Sequence, residues 1–315
     1  MSKDLSPRLG RPRLLIVGCG DVGLRCTRML ASRWRVFAVS SRPERAPELR
    51  AAGAVPVIAN LDMPGTLARL AGLAERVLHL APPPAHGDDD PRTVALLHAL
   101  RRSQWRRASY ASSRPVREPR ILPDPSGHPP RLPRRLTGRI RTASKPVLVY
   151  ASTSGVYGDR GGAWTQESHP VRPRTARARR RVAAEEAVRQ FGRHAHWRAA
   201  IVRIPGIYAA DRLPLARLAK GTPALTRDDD VYTNHIHADD LARTMIAAML
   251  RGKPQRVVHA SDDSELRMAD YFDLVADRRG LPRPPREQLR EAVEPTLLSF
   301  MSESRRLDNA RLKRE

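Results

Sequence analysis

Short apolar runs recur along the first half of the chain, each followed by a stretch with helical spacing of apolar residues, and this alternation predicts parallel strands joined by crossover helices. Leu14–Val17 reads as the first strand and residues 22–33 as the helix after it. Residues 36–39, 55–59 and 77–80 are further strands, with helices expected over 44–52, 65–73 and 92–100. Strands at 147–150, 199–203 and 256–260 and helices at 176–191, 241–250 and 268–278 complete the pattern. The expected fold class is therefore α/β, a Rossmann-type doubly wound parallel sheet, with a small C-terminal substrate-side lobe. Residues 11–203 are assigned to the dinucleotide-binding domain and 204–315 to the lobe packed on the same sheet.

Residues 101–145 break the pattern, being rich in Arg and Pro with no sustained apolar period, and are expected to form a mobile basic insertion. Pro282, Pro284 and Pro285 interrupt the last third. Arg311–Glu315 reads as an unfinished helix, so the sequence is expected to lack its natural terminus.

Composition narrows the classes. The chain has 315 residues, 41% of them hydrophobic but only 4% aromatic. That leaves few rings for stacking nucleobases. Lys plus Arg number 57 against 33 Asp plus Glu, a net charge of +24. Polyanions are attracted to such a surface. Nearly all of the excess is Arg, however, as a general coding bias produces, so a nucleic-acid partner is not expected. No window reaches the roughly 18 apolar residues of a membrane span, and the start lacks an apolar signal core, so a cytoplasmic protein without a membrane partner is expected. Cys19 and Cys26 fall in the first turn and helix and exclude a disulfide scaffold.

The chemistry concentrates where strands end. Gly18-Cys19-Gly20-Asp21-Val22-Gly23 follows an apolar strand and opens a helix, the context in which glycines at this spacing cradle a pyrophosphate. Gly18 permits the tight turn, Gly20 the approach of the phosphate, and Gly23 the close packing of helix on strand. The second strand ends at Ser41 and Arg42, with no acid for a ribose 2′-hydroxyl. A hydroxyl and a guanidinium fork there favour a 2′-phosphate, so NADP(H) is the expected cofactor and NAD the alternative. Asp62 is placed either to accept from the adenine amino group or to cap the following helix. Ala81 and Pro82 close the fourth strand on the ligand side of the sheet. His235, His237, Asp239 and Asp240 read as a strand end and helix cap, and no metal site is expected.

Residues 149–158, Val-Tyr-Ala-Ser-Thr-Ser-Gly-Val-Tyr-Gly, resemble the strand and loop of the extended short-chain dehydrogenase/reductases, the NAD(P)-dependent epimerase/dehydratase family. Glu167–Pro173, Arg203–Tyr208 and His235–Ala242 are similar to later segments of that family, and the chain looks most like its atypical, YeeZ-like branch. The resemblance implies a small-molecule substrate such as a nucleotide-sugar or related polar carbonyl compound, with oligomeric state open, a homodimer included. It also implies that Thr153 orients the substrate oxygen. Alignment through Glu185 puts Arg177 where the family has its proton-exchanging Tyr and Arg181 where it has the ribose-binding Lys. A guanidinium cannot shuttle a proton near neutral pH, which leaves Tyr157 as the candidate acid, its phenol tuned by a cation such as Arg181. The first glycine of the family's usual turn is also replaced, by Val17. An oxidoreductase or epimerase homologue is the leading expectation; a non-catalytic NADP(H)-binding sensor is the alternative.

Overall fold

The computed structural model describes residues 10–112, 145–288 and 303–315. The expected mobile insertion lies largely outside the described residues. Its first part is helical, because the helix after the fourth strand runs on to Ser112 rather than stopping at Leu100.

Seven parallel strands form the central sheet: β1 (Arg13–Val17), β2 (Arg35–Ser40), β3 (Val55–Ile58), β4 (Arg76–His79), β5 (Val147–Thr153), β7 (Arg198–Ile204) and β11 (Arg256–His259). Their spatial order is β11-β7-β5-β4-β1-β2-β3. The chain thus winds one way from β1 and the other way from β4. The crevice beyond the carboxyl ends of these two strands is where such sheets take ligands.

The side-chain period of two explains how the sheet is covered on both faces. Leu14 and Ile16 point into one apolar cluster with α1 (Asp21–Leu30) and α6 (Ala238–Arg251). Leu15 and Val17 point into the other with α3 (Pro91–Ser112) and α4 (Ala176–His194). Each face needs its own pair of helices, which is why β11 and α6 return to the sheet from the last third of the chain. Cys19 and Cys26 are free and buried under this cover.

One expected helix differs in kind. Residues Pro64–Leu70 form a 3-10 helix. Leu67 and Leu70 are its buried residues, and their spacing of three matches three residues per turn, so one edge faces the core.

The remaining strands form three two-stranded sheets outside the central one. Strand β8 (Gly206–Tyr208) pairs with β10 (His235–His237), and β9 (Ala224–Leu225) with β12 (Arg286–Glu287). Strand β6 (Trp164–Thr165) pairs with β13 (Arg306–Leu307), which brings the end of the chain back to the loop after β5. Helices α5 (Leu215–Ala219) and α7 (Met268–Arg279) share a separate small core around Phe272.

Candidate cofactor and substrate site

The glycine turn has a distinct physical demand at each position. Gly18 adopts φ +84°, and a Cβ there would sit 2.4 Å from the Ala81 backbone nitrogen. The turn and the exit of β4 therefore touch, and Ala81 is buried against it. Gly23 is tight against Cys19 and Ile16, as close packing of α1 on β1 requires. Gly20 meets open space: a Cβ there would have no neighbour within 4 Å. It is also the N-cap of α1 and supplies no side-chain cap. The first-turn N–H groups at Asp21, Val22 and Gly23 have no intrahelical acceptor and face an open approach. Those donors, with the positive end of the helix dipole, fit a dinucleotide pyrophosphate. Asp21 contributes backbone rather than carboxylate, since its side chain accepts from Arg25 at 2.9 Å and Arg212 at 3.0 Å.

At the end of β2, Ser41 and Arg42 are both exposed. The Arg42 backbone N–H is held by Ser40 Oγ at 3.1 Å, which fixes where the arginine leaves the strand. Sequence reading missed Arg45. Its Nη1 donates to the Cys19 carbonyl at 2.7 Å, and its Nη2 pairs with Glu48 at 2.7 Å. A guanidinium thus ties the glycine turn to the start of α2 (Ala46–Ala51). Only the local chance of an Arg in an Arg-rich loop was visible in the chain.

Asp62 corrects one of its two expected roles. It is not a helix cap: the 3-10 helix begins after Met63 and has no side-chain cap. Instead both carboxylate oxygens accept from Arg92, at 2.6 and 2.5 Å, and this hydrogen bonding holds its pKa below the usual carboxylate value. Arg92 also donates to the carbonyl of Pro83 at 3.2 Å, so the prolines after β4 are pinned to α3.

A cavity of about 570 Å³ opens beside this edge, lined by Thr153, Gly155, Arg177, Asn234 and Glu303 among others. Thr153 ends β5, and its Oγ1 accepts from Gly155 N at 3.3 Å, which turns the hydroxyl toward the strand end. Thr175 caps α4 through Ala178 N at 3.1 Å, so the N-terminus of that helix is also at the cavity wall. Position 177 shares a cavity with Thr153. It carries a cation there. Partial desolvation, then the like charges of Arg181 and Arg180, hold the Arg177 pKa below the usual guanidinium value.

Arg181 does not line that cavity. Its Nη1 donates to the Ala151 carbonyl at 2.8 Å and to the Tyr150 hydroxyl at 3.0 Å, fastening α4 to β5. The ribose contact that the resemblance implies is thus competed for by the strand beneath.

Tyr157 is a correction. It is fully buried and absent from the cavity lining. Its hydroxyl lies 2.6 Å from His259 Nε2 and accepts from Arg203 Nη1 at 2.6 Å. His259 Nδ1 meets the Asp308 carbonyl at 2.9 Å, an acceptor only, so Nδ1 carries the ring proton and Nε2 receives the phenol's. Burial raises the Tyr157 pKa to about 12, against the lowering effect of Arg203. The tuning cation is Arg203, not Arg181, and burial outweighs it. In this arrangement the phenol's hydrogen points to His259 and not into the cavity.

Arg203 is itself clamped by Glu185, at 2.7 and 3.0 Å, and Ser152 donates to the same carboxylate at 2.6 Å. This buried network joins β5, α4, β7 and β11 directly below Thr153. Its members, Ser152, Tyr157, Glu185, Arg203 and His259, lie on five different elements, so nothing local in the sequence joins them.

The His235–Asp240 stretch is a strand end and a helix start, with one change of residue. The side chain that caps α6 is His237, whose Nδ1 accepts from Asp239 N at 3.3 Å. Asp239 instead pairs with Arg25 at 2.6 Å, linking α6 to α1. Among the described residues no group of three or more His, Cys, Asp or Glu side chains is disposed to hold a metal, and no helix is long and apolar enough to cross a membrane.

Comparison with known proteins gives this geometry a context. Residues 130–260 match the family model of the NAD dependent epimerase/dehydratase family. A functionally unknown conserved protein from Silicibacter pomeroyi superposes with a TM-score of 0.71 at 27% identity, covering 96% of this chain and 92% of that one. UDP-glucose 4-epimerase from Thermotoga maritima, solved with UDP-glucose, gives a TM-score of 0.70 at 16% identity over 96% and 91% of the two chains. The dTDP-glucose 4,6-dehydratase DesIV from Streptomyces venezuelae, solved with NAD, gives 0.68 at 17% over 96% and 90%. At those lower identities the likeness is one of fold. The search of curated proteins found no match.

Proposed function

We propose that this chain, whose residues 130–260 match the family model of the NAD dependent epimerase/dehydratase family, binds NADP(H) across the Gly18–Gly23 turn and acts on a nucleotide-sugar or related polar carbonyl compound in the cavity beside Thr153. The observation that carries this reading is the shared edge: an open helix N-terminus after β1 and a hydroxyl-lined cavity after β5 lie at the carboxyl ends of one parallel sheet.

Each residue then has a task. The N–H groups at the start of α1 hold the pyrophosphate, and Ser41 with Arg42 holds a 2′-phosphate. Asp62 remains an acceptor within reach of the adenine end, and Ala81 and Pro82 form the wall behind the dinucleotide. Bound nicotinamide supplies hydride exchange with a carbon that bears oxygen. Thr153 Oγ1 orients that oxygen, while Arg181 keeps the end of β5 in place and offers its remaining donors to the ribose. The proton is the weak point, since Arg177 holds its own too tightly at neutral pH.

That weakness supports a second reading, a dinucleotide-binding protein whose cofactor state is sensed rather than turned over. The buried state of Tyr157 favours it. Titration with NADPH and NADH, then exposure of the NADPH-bound protein to a panel of carbonyl compounds, decides between them. NADPH is expected to bind at least tenfold more tightly than NADH, about 1.4 kcal/mol, with Arg42→Ala erasing the difference. Equal affinities overturn the NADP preference, and absence of binding overturns both readings. Oxidation of bound NADPH by a carbonyl compound identifies an enzyme; binding without oxidation identifies the sensor.

A further inference from the structure

A second cavity, of about 460 Å³, lies in the C-terminal third of the chain and shares no lining residue with the one beside Thr153. The β8–β10 pair contributes to both: Gly206, Ile207 and Asn234 line the first, Tyr208 and His235 the second. Rings form part of its wall. His235, 6% exposed, stacks on Tyr271 with centroids 4.2 Å apart and planes inclined by 28°. Burial lowers the His235 pKa from its ordinary value, so the ring is neutral near pH 7. Its Nδ1 is buried without a hydrogen-bond partner among the described residues, a costly state that a bound group can relieve.

The rest of the wall comes mainly from one helix. Tyr271, Leu274, Val275 and Arg278 lie three, four and seven positions apart on α7 and so present one face of it to the cavity. Leu274 is 42% exposed. A single exposed leucine is ordinary, but this one continues an apolar face that ends in charge, at Arg278 with Arg279 beside it. Both arginines are exposed. Among the described residues neither has an acid for a partner, whereas Arg283 and Arg286 pair with Asp277 at 2.8 Å and Asp273 at 2.6 Å. Basic residues are favoured at a helix C-terminus in any case. It is their place at the end of an apolar, ring-lined cavity that points to an amphipathic anion. The acid in the lining, Asp262, already accepts from the N–H and hydroxyl of Ser264 at 3.0 and 2.5 Å, and the two guanidinium groups outnumber it. A carboxylate brings one charge to the edge of an apolar enclosure and a phosphate monoester nearly two, so desolvation favours the carboxylate.

We propose that this second cavity binds an aromatic carboxylate, its ring packed against Tyr271, Leu274 and Val275 and its anion held by Arg278 and Arg279. Such a site stands whether or not the chain binds NADP(H), since none of the residues assigned to cofactor or substrate lines it.

Calorimetric titration of the full chain with naphthoate, naphthamide, decanoate and acetate tests it. Naphthoate is expected to bind about tenfold more tightly than its neutral amide, decanoate several-fold less tightly than naphthoate, and acetate without measurable heat. Arg278→Gln and Arg279→Gln together should bring naphthoate down to the level of the amide. Leu274→Glu should weaken naphthoate and the amide alike. Neither change should move the urea midpoint, because all three side chains are exposed. Absence of naphthoate binding, equal affinities for naphthoate and the amide, affinities unchanged by Leu274→Glu, or a charge preference that survives the double substitution overturns the proposal. Decanoate binding as tightly as naphthoate overturns the choice of a ring. If Leu274→Glu does move the urea midpoint, Leu274→Asn takes its place and the same outcomes decide.

Discussion

A phenol that donates a hydrogen bond to a buried imidazole and accepts one from a guanidinium has no capacity left for a substrate. Tyr157 is in that position, so Tyr157→Phe should leave cofactor affinity and any turnover unchanged. It should lower the unfolding free energy by about 1–3 kcal/mol, because Arg203 and His259 each lose a buried partner; urea denaturation and carbonyl-dependent NADPH oxidation measure the two effects. A fall in turnover without loss of stability would restore Tyr157 as an acid. That Tyr157 matters was legible in the chain, whereas its partners were not. His259 and Arg203 come from β11 and β7, far from residue 157 in sequence, and nothing local marks a strand histidine as the acceptor of a particular phenol. The glycines were legible for the opposite reason: Gly18 and Gly23 meet constraints set by the residues next to them in sequence and by one close strand exit.

Among the elements, α4 carries the most varied duties. One part of its surface presents Arg177 to the cavity, another fastens Arg181 to β5, and a third buries Glu185 against Arg203 with both side chains 4% exposed. Removing one partner of a buried pair strands the other's charge, a loss of about 3–5 kcal/mol. Glu185→Ala should therefore shift the urea midpoint strongly, and Glu185→Gln less, since the amide oxygen still accepts from Ser152 or Arg203. A Glu185→Ala protein as stable as the parent would show that the pair is not what joins α4 to the sheet. Most elements could be read from apolar period, including α4 itself. The extension of α3 to Ser112 could not, since an Arg- and Ser-rich continuation has no apolar stripe to announce it.

For the molecule as a whole, two histidines on the sheet set a response to pH. Burial lowers His259 from its ordinary value near 6.5 to about 4 and His79 to about 3. Between those limits the unfolded chain binds more protons than the folded one, so stability falls as pH drops below about 6.5. At pH 5 the loss is on the order of 2 kcal/mol for each histidine, from the roughly 1.4 kcal/mol per pH unit of linkage. A melting temperature unchanged from pH 7 to pH 5 would show that neither imidazole is kept neutral by the fold. The layered α/β class was legible in the alternation of runs, because a sheet covered on both faces writes continuous apolar strands into the sequence. The return of β11 and α6 to that sheet, and of residues 303–307 to the cavity, depends on contacts between distant segments and left no local trace.

The strand order also has a consequence during synthesis. Strand β4 lies between β1, made before it, and β5, made only after residues 80–146 have been added. Until then the nascent chain holds β1 to β4 with the backbone groups along one edge of β4 unpaired, and Val77 and Leu78, one on each face of the strand, lack part of the cover that buries them in the finished fold. An unpaired edge of this kind invites pairing with another chain. The ligand crevice and this temporarily unpaired edge thus arise at the same strand, one at its carboxyl end and the other along its side.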